Sequence, residues 1–231
     1  LLKELLNEKE DKLGSMIMIE DISDEKRMKS TMSRYIDPGI ADQLMSDGTD
    51  IMGGQETVAT VLFSDVRSFT TITETLGAQG TVALLNEYFD IMVEAISEQG
   101  GMVDKFIGDA IMAGFGIPMP NDDDEDRGVR AGINMIKRLW EWNEIREKEG
   151  KMPIDMGLGL NTDKVVSGNI GSKRQMNYTV IGDEVNIASR LCSNAAPGEI
   201  LISRSVYEQF SGDLNDFVKK SPRWILTLDF F

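Results

Sequence analysis

Two aspartates stand where a carboxylate can do chemistry. Asp65 follows a run of β-favouring residues, 58–63. Asp109 sits in a Gly-Asp pair between two further strand-like runs, 102–107 and 110–115. A two-residue connection of that type between such runs signals a hairpin. If the first run lies between or beside the hairpin strands, both carboxylates meet at one edge of a sheet. Paired carboxylates with open positions suit Mg²⁺, which takes oxygen ligands and keeps room for phosphate oxygens. Each aspartate also has a plainer reading, Asp65 as the cap of the next helix and Asp109 as a turn residue.

Other groups point the same way. Val66, Arg67, Ser68, Phe69 and Thr70 follow Asp65 into a helix, and the N–H groups of such a loop can receive a phosphate. No Walker-type Gly-Lys-Ser/Thr is present, and Ser68 and Thr70 also suit plain helix caps. Asn186 and Arg190 lie four apart on a predicted helix and so share a face, with Val185, Ala188 and Leu191 packing on the other. Asp183 is the expected cap of that helix. Lys105 interrupts an apolar strand, where it needs a partner or an exit to solvent, or serves to guard a sheet edge. The acidic run 122–126 fails the EF-hand frame, having Arg127 at the glycine position and Ile133 at the final glutamate position. Acidic residues at a helix N-terminus complement its dipole instead.

Composition narrows the field. The 231 residues carry 24 basic and 39 acidic side chains, a net charge of −15, which disfavours a general nucleic-acid binder. There is no histidine, which excludes His-based zinc sites and Ser-His-Asp or Cys-His catalysis. Cys192 is the only cysteine, so no disulfide forms within the chain. No apolar run reaches the ~18 residues of a membrane span. The chain starts without Met or a signal-peptide pattern and reads as part of a longer protein.

The elements that must position these groups follow from periodicity. A strand over 58–63 precedes a helix over 82–96, whose apolar stripe is Val82, Leu85, Phe89, Met92 and Ile96. Hairpin strands 102–107 and 110–115 lead to a helix ending near 149. Strands are predicted over 154–160, 164–169 and 176–181, then a helix over 184–194, a strand over 200–203 and a short helix ending near Phe210. The first part of this order is βαββαβ, the split-βαβ, ferredoxin-like, palm-like arrangement of an α+β fold. Four segments are expected: 1–22, a hairpin strand with a polar turn; 23–56, a helical linker; 57–218, the main domain; and 219–231, an atypical tail.

Three stretches carry a resemblance. Phe63-Ser64-Asp65-Val66-Arg67-Ser68-Phe69-Thr70, Lys105-Phe106-Ile107-Gly108-Asp109-Ala110 and Tyr178-Thr179-Val180-Ile181-Gly182-Asp183-Glu184-Val185-Asn186-Ile187-Ala188-Ser189-Arg190 resemble the signature motifs of class III nucleotidyl cyclases, in order and spacing. The resemblance implies that Asp65 and Asp109, with the main chain of Val66, hold two Mg²⁺ or Mn²⁺ ions. It implies that Lys105 and Thr179 read the purine, Asn186 positions the ribose and Arg190 stabilises the transition state. Guanylate cyclases of the family carry other residues at the Lys105 and Thr179 positions. Lysine donates to the N1 acceptor of adenine and mismatches guanine, so ATP is the expected substrate and cyclic AMP the product. The family builds its site across a dimer interface, which implies a homodimer with two equivalent sites.

Residues 13–27 resemble the final strand and exit helix of a PAS sensor, which implies an upstream sensor domain and helices over 24–45 that pair across the dimer; a plain linker is the alternative. Such a catalytic domain is expected in the cytoplasm. Two departures stand out. Asp163 occupies a position where the family has glycine in a hairpin. The C-terminal Lys-Gly turn that contacts the triphosphate is missing, and Lys219 or Lys220 is the candidate substitute. The rival readings are a guanylate cyclase, a catalytically silent cyclase-like dimerisation module, and a diguanylate cyclase, whose signature is absent.

Overall fold

The computed structural model describes residues 2–6, 12–17, 53–172, 174–212 and 225–228. The chain divides into two compact units, residues 1–47 and 48–231. In the first, β1 (Leu2–Leu6) and β2 (Lys12–Ile17) pair antiparallel, with Leu2 opposite Ile17. A hairpin across the polar segment was the expectation. The helices predicted over 24–45 lie outside the described residues, as do Lys219 and Lys220.

The second unit runs β3 (Gly53–Val66), α1 (Phe69–Ser97), β4 (Met102–Ile107), β5 (Ala110–Phe115), α2 (Asp124–Lys148), β6 (Met156–Ser172), β7 (Gln175–Ile181), α3 (Asp183–Asn194), β8 (Glu199–Ile202), α4 (Arg204–Gln209) and β9 (Ile225–Leu228). The sheet order is β4-β5-β3-β6-β8-β9, with β7 also paired to β6. The expected split-βαβ core is present: β3 lies between β5 and β6 and is antiparallel to both. β3 is buried on both faces, as its unbroken apolar run requires, with Ala59, Val61, Leu62 and Phe63 all in the core.

Alternation along β6 assigns the layers. Leu158 and Leu160 face α2, where Gly132 and Gly128 let the helix approach. Gly159, on the opposite face, lies directly beneath the backbone of α3 at Ala188 and Cys192. Tyr88, Met92 and Ile96 of α1 join Met135, Ile136 and Leu139 of α2 in the main core.

Four expectations change. The strands predicted over 154–160 and 164–169 are one strand, β6, and Asp163 sits opposite Ala59 with no hairpin there. Asn161, Thr162 and Asp163 read as a turn by composition, but the first two are buried with their polarity satisfied sideways, and Asp163 is exposed. Thr162 Oγ1 donates to Glu125 Oε1 at 2.9 Å and accepts from Thr60 Oγ1 at 3.0 Å. Asn161 donates to Glu184. Helix α1 begins at Phe69, with a kink at Gly77 (φ 67°), and its stripe is rotated: Val82 is exposed, whereas Leu84 and Tyr88 are buried. At α3 the capping position belongs to Gly182, and Asp183 is the first helical residue, making no cap hydrogen bond. The apolar end of the tail pairs into the sheet as β9, parallel to β8.

The acidic run behaves as its bland reading predicted. Asp124, Glu125 and Asp126 open α2, and all three are buried and paired, with Arg127, Thr162 and Ser211 respectively.

Candidate active site

β3 and the β4–β5 turn bring Asp65 and Asp109 together. Gly108 at φ 66° supplies the left-handed turn conformation that lets Asp109 face back toward β3. The Asp109 Oδ2 accepts the Val66 N–H at 3.1 Å, and the Asp65 carboxyl is its close neighbour. Burial, then the Asp65 carboxylate, raise the Asp109 pKa to about 6. Two carboxyl groups in contact compete for one proton unless a cation neutralises both. Among the described residues, no cluster of three or more His, Cys, Asp or Glu side chains could hold a metal. Among the described residues, an ion here would draw on this pair and on main-chain oxygens.

Arg67 is wired into the same end. Its Nη1 donates to Asp65 Oδ2 at 2.9 Å and its Nη2 to the carbonyl of Cys192 at the end of α3. Gly157 makes room for the guanidinium; a Cβ there would collide with it. Cys192 Sγ contacts the Gly157 carbonyl, and burial pushes this thiol up to about 12, so it stays protonated.

The loop after Asp65 offers fewer phosphate donors than the sequence suggests. The Val66 N–H is taken by Asp109 and the Arg67 N–H by the Asp155 carbonyl at 2.8 Å. That leaves Ser68, Phe69 and Thr70, at the start of α1, where N–H groups have no partner within the helix. Ser68 is the one described non-glycine residue at positive φ (57°), and its side chain makes no cap. Phe69 turns its ring into the core, so only its main chain is available.

Lys105 and Thr179 meet at the β4 edge. Lys105 Nζ donates to Thr179 Oγ1 at 2.9 Å. A third residue completes the group. The Thr179 hydroxyl donates to Asp104 Oδ2 at 2.6 Å, and the Val180 N–H points at the same oxygen at 3.4 Å. Asp104 was missed in the sequence because strict strand alternation puts it on the face opposite Lys105. The β4–β5 register shifts between Val103 and Lys105, and this bulge turns both side chains onto Thr179.

Asn186 and Arg190 do share one exposed face of α3, while Ala188, Leu191 and Cys192 are buried beneath. Among the described residues, no side-chain hydrogen bond or ion pair joins either of them to the aspartates or to the Lys105 group. Ile187, Leu191 and Asn194 flank Arg190 in a shallow recess.

The profile of the family described as "Adenylate and Guanylate cyclase catalytic domain" matches residues 53–223. The chain belongs to that family. The cyclase domain is 37% identical over 158 residues to an adenylate cyclase of Anabaena cylindrica, covering 66% of this chain and 30% of that protein. Among solved structures it is similar to the guanylyl cyclase Cya2, at 41% identity and TM-score 0.67, covering 70% of this chain and 82% of that one. It is also similar to the adenylyl cyclase CyaB of P. aeruginosa, at 37% identity and TM-score 0.65, covering 73% and 84%. The chain spans about a third of the length of the curated relatives it matches. Relatives of both base specificities stand close to it, so family membership leaves the purine open. Among the described residues, no helix is long and apolar enough to cross a membrane.

Proposed function

We propose that this domain is an adenylate cyclase that converts ATP to 3′,5′-cyclic AMP and pyrophosphate at a site shared by two copies of the chain. The observation that carries the base preference is the Lys105–Thr179 pair. Lysine is a donor only. Adenine N1 is an acceptor, whereas guanine N1 bears a hydrogen, so guanine would set donor against donor.

The aspartate pair fits a divalent cation. Burial and the neighbouring Asp65 carboxyl both penalise the charged form of Asp109, a penalty that a bound cation would relieve. Asp65 and Asp109, with the Val66 main chain, would hold Mg²⁺ or Mn²⁺. Two such ions supply a lowered pKa for the ribose 3′-hydroxyl and neutralise charge on the triphosphate. The chain's own groups do the rest. Ser68, Phe69 and Thr70 N–H groups receive phosphate oxygens. Asn186 orients the ribose. Arg190 meets charge growing on the α-phosphate, a role whose loss costs about 10²–10³ in kcat.

Asn186 and Arg190 are exposed and their side chains are unengaged among the described residues, with Arg190 in an apolar recess, which supports completion of the site by a second chain. In that homodimer one copy contributes Asp65 and Asp109; the other contributes Lys105, Thr179, Asn186 and Arg190. The domain is then the output element of a longer signalling protein with a sensor upstream.

The likeness to the guanylyl cyclase Cya2 favours a second reading, GTP as substrate. Product formation from ATP and from GTP, with Mg²⁺ and with Mn²⁺ over a range of protein concentration, decides between them. Cyclic AMP with specific activity rising with concentration is expected. Cyclic GMP as the preferred product would overturn the adenylate reading.

A further inference from the structure

Thr179 is the ambiguous member of the base-reading pair. A hydroxyl has one hydrogen to give and two lone pairs to receive, and it rotates to suit its partner. Left free, it could accept from the 6-amino group of adenine or donate to the 6-oxo group of guanine. It would then discriminate nothing.

The surroundings remove that freedom. The Asp104 side chain is 1% exposed. Its Oδ2 faces two donors, the Thr179 hydroxyl at 2.6 Å and the Val180 N–H at 3.4 Å. Its Oδ1 is also buried and makes no hydrogen bond, with Lys105 Nζ at 3.4 Å as its charge partner. The three polar groups that meet Asp104 are all donors or cations, so its carboxylate oxygens serve as acceptors. The single Thr179 hydrogen is therefore spent on Asp104. One lone pair receives Lys105, and one lone pair remains.

We propose that Asp104 is a specificity-determining positioning residue: it fixes Thr179 as a pure acceptor and so selects a 6-amino purine over a 6-oxo purine. Asp104 touches no substrate itself. It acts by spending a proton that would otherwise satisfy guanine. This rests on the assignment of Lys105 and Thr179 to the base.

The test is the ratio of kcat/KM for ATP to that for GTP, measured in wild type, Asp104→Asn, Thr179→Val and the double variant. In Asp104→Asn the amide oxygen stays toward the Lys105 cation, and the NH₂ replaces the acceptor that the Thr179 hydroxyl and, more distantly, the Val180 N–H had shared, which frees the hydroxyl to donate. The ATP:GTP ratio is expected to fall about ten- to hundred-fold, the scale of one mispaired buried polar contact. With the hydroxyl absent, adding Asp104→Asn to Thr179→Val should change the ratio no further. An unchanged ratio in folded Asp104→Asn would overturn the proposal, as would independent, additive effects in the double variant. If Asp104→Asn does not fold, Thr179→Val alone must lower the ratio, and an unchanged ratio there overturns the proposal equally. A wild type that prefers GTP removes the adenylate reading beneath it, whereas a wild type that prefers ATP with an indifferent Asp104 removes only this inference.

Discussion

Lys105 and Thr179 are 74 residues apart in the chain and meet at 2.9 Å, held by Asp104. Asn186 and Arg190 are four residues apart, on one helix face, and their side chains touch no polar partner among the described residues. The first pair is wired before any ligand arrives; the second is kept free. On the proposed assignment, the difference follows from what each would face, a purine for the first pair and a phosphate for the second. A purine is neutral and is told from its rival only by the direction of a few hydrogen bonds, so its readers need fixed polarity. A phosphate gains charge during reaction, so a guanidinium waiting for it gains most by not being neutralised beforehand. The aspartate end combines both habits, since Arg67 restrains Asp65 while Asp109 stays poorly compensated.

The contrast breaks most visibly if the free residues can be rescued from another chain. Asp65→Ala and Arg190→Ala are each expected to lose at least about 10²–10³ of activity. Mixed in equal amounts, random pairing gives half heterodimers with one intact site of two, hence about a quarter of wild-type activity. No recovery, with heterodimers verified by mass, would show that each chain completes its own site.

Wiring at the aspartate end is tested by Arg67→Ala. Loss of a group that orients a ligand residue typically costs about 10–100-fold in metal affinity. Mn²⁺ titration followed by electron paramagnetic resonance should show that weakening, and unaltered binding would make Arg67 a packing residue only.

A smaller effect separates the two ends by pH. The Asp109 pKa is raised from 3.8 to about 6, so the folded, metal-free protein holds this proton more tightly than the unfolded chain. That stabilisation is full below the unfolded value and is lost as pH rises through about 6. A cation needs the ionised form and acts in the opposite sense. The rise in melting temperature on adding Mg²⁺ should therefore be largest above pH 6 and fade toward pH 5, disappearing in Asp109→Asn. A Mg²⁺ shift independent of pH over this range would contradict the assignment.

The smallest effect concerns Ser68. A non-glycine residue in the left-handed region costs about 1–2 kcal/mol, offset by the backbone entropy that glycine loses on folding. Ser68→Gly should stabilise by up to about 1 kcal/mol in urea unfolding without altering the ATP:GTP ratio.

Much of this was legible in the residues. Asp65 and Asp109 stood out because each ends an apolar strand, and Asn186 with Arg190 because four-residue spacing defines a helix face. The core strand order followed from the βαββαβ pattern. The polar misses share a cause, partners or placements that only the tertiary fold supplies. Asn161 and Thr162 looked like part of a turn because nothing nearby in sequence announces Glu184 and Glu125 as their partners. Asp104 was invisible because only a bulge, a tertiary detail, puts it beside Lys105. The stripe of α1 was displaced because Tyr88, nominally amphipathic, is wholly buried while Val82 is not.

Gly159 has a consequence of a different kind. A Cβ at that position would stand 2.2 Å from the Cys192 nitrogen and 2.3 Å from the Ala188 oxygen, so α3 rests on bare main chain. Side chains between two layers act as springs, since rotamers can yield and re-settle. Main chain against main chain is a hard stop. The height of Asn186 and Arg190 above the sheet is thus a machined dimension of the fold, insulated from drift in the core around it. Sequence change elsewhere can retune stability without moving the reach of these two residues, whereas one methyl group at residue 159 would act as a shim beneath both.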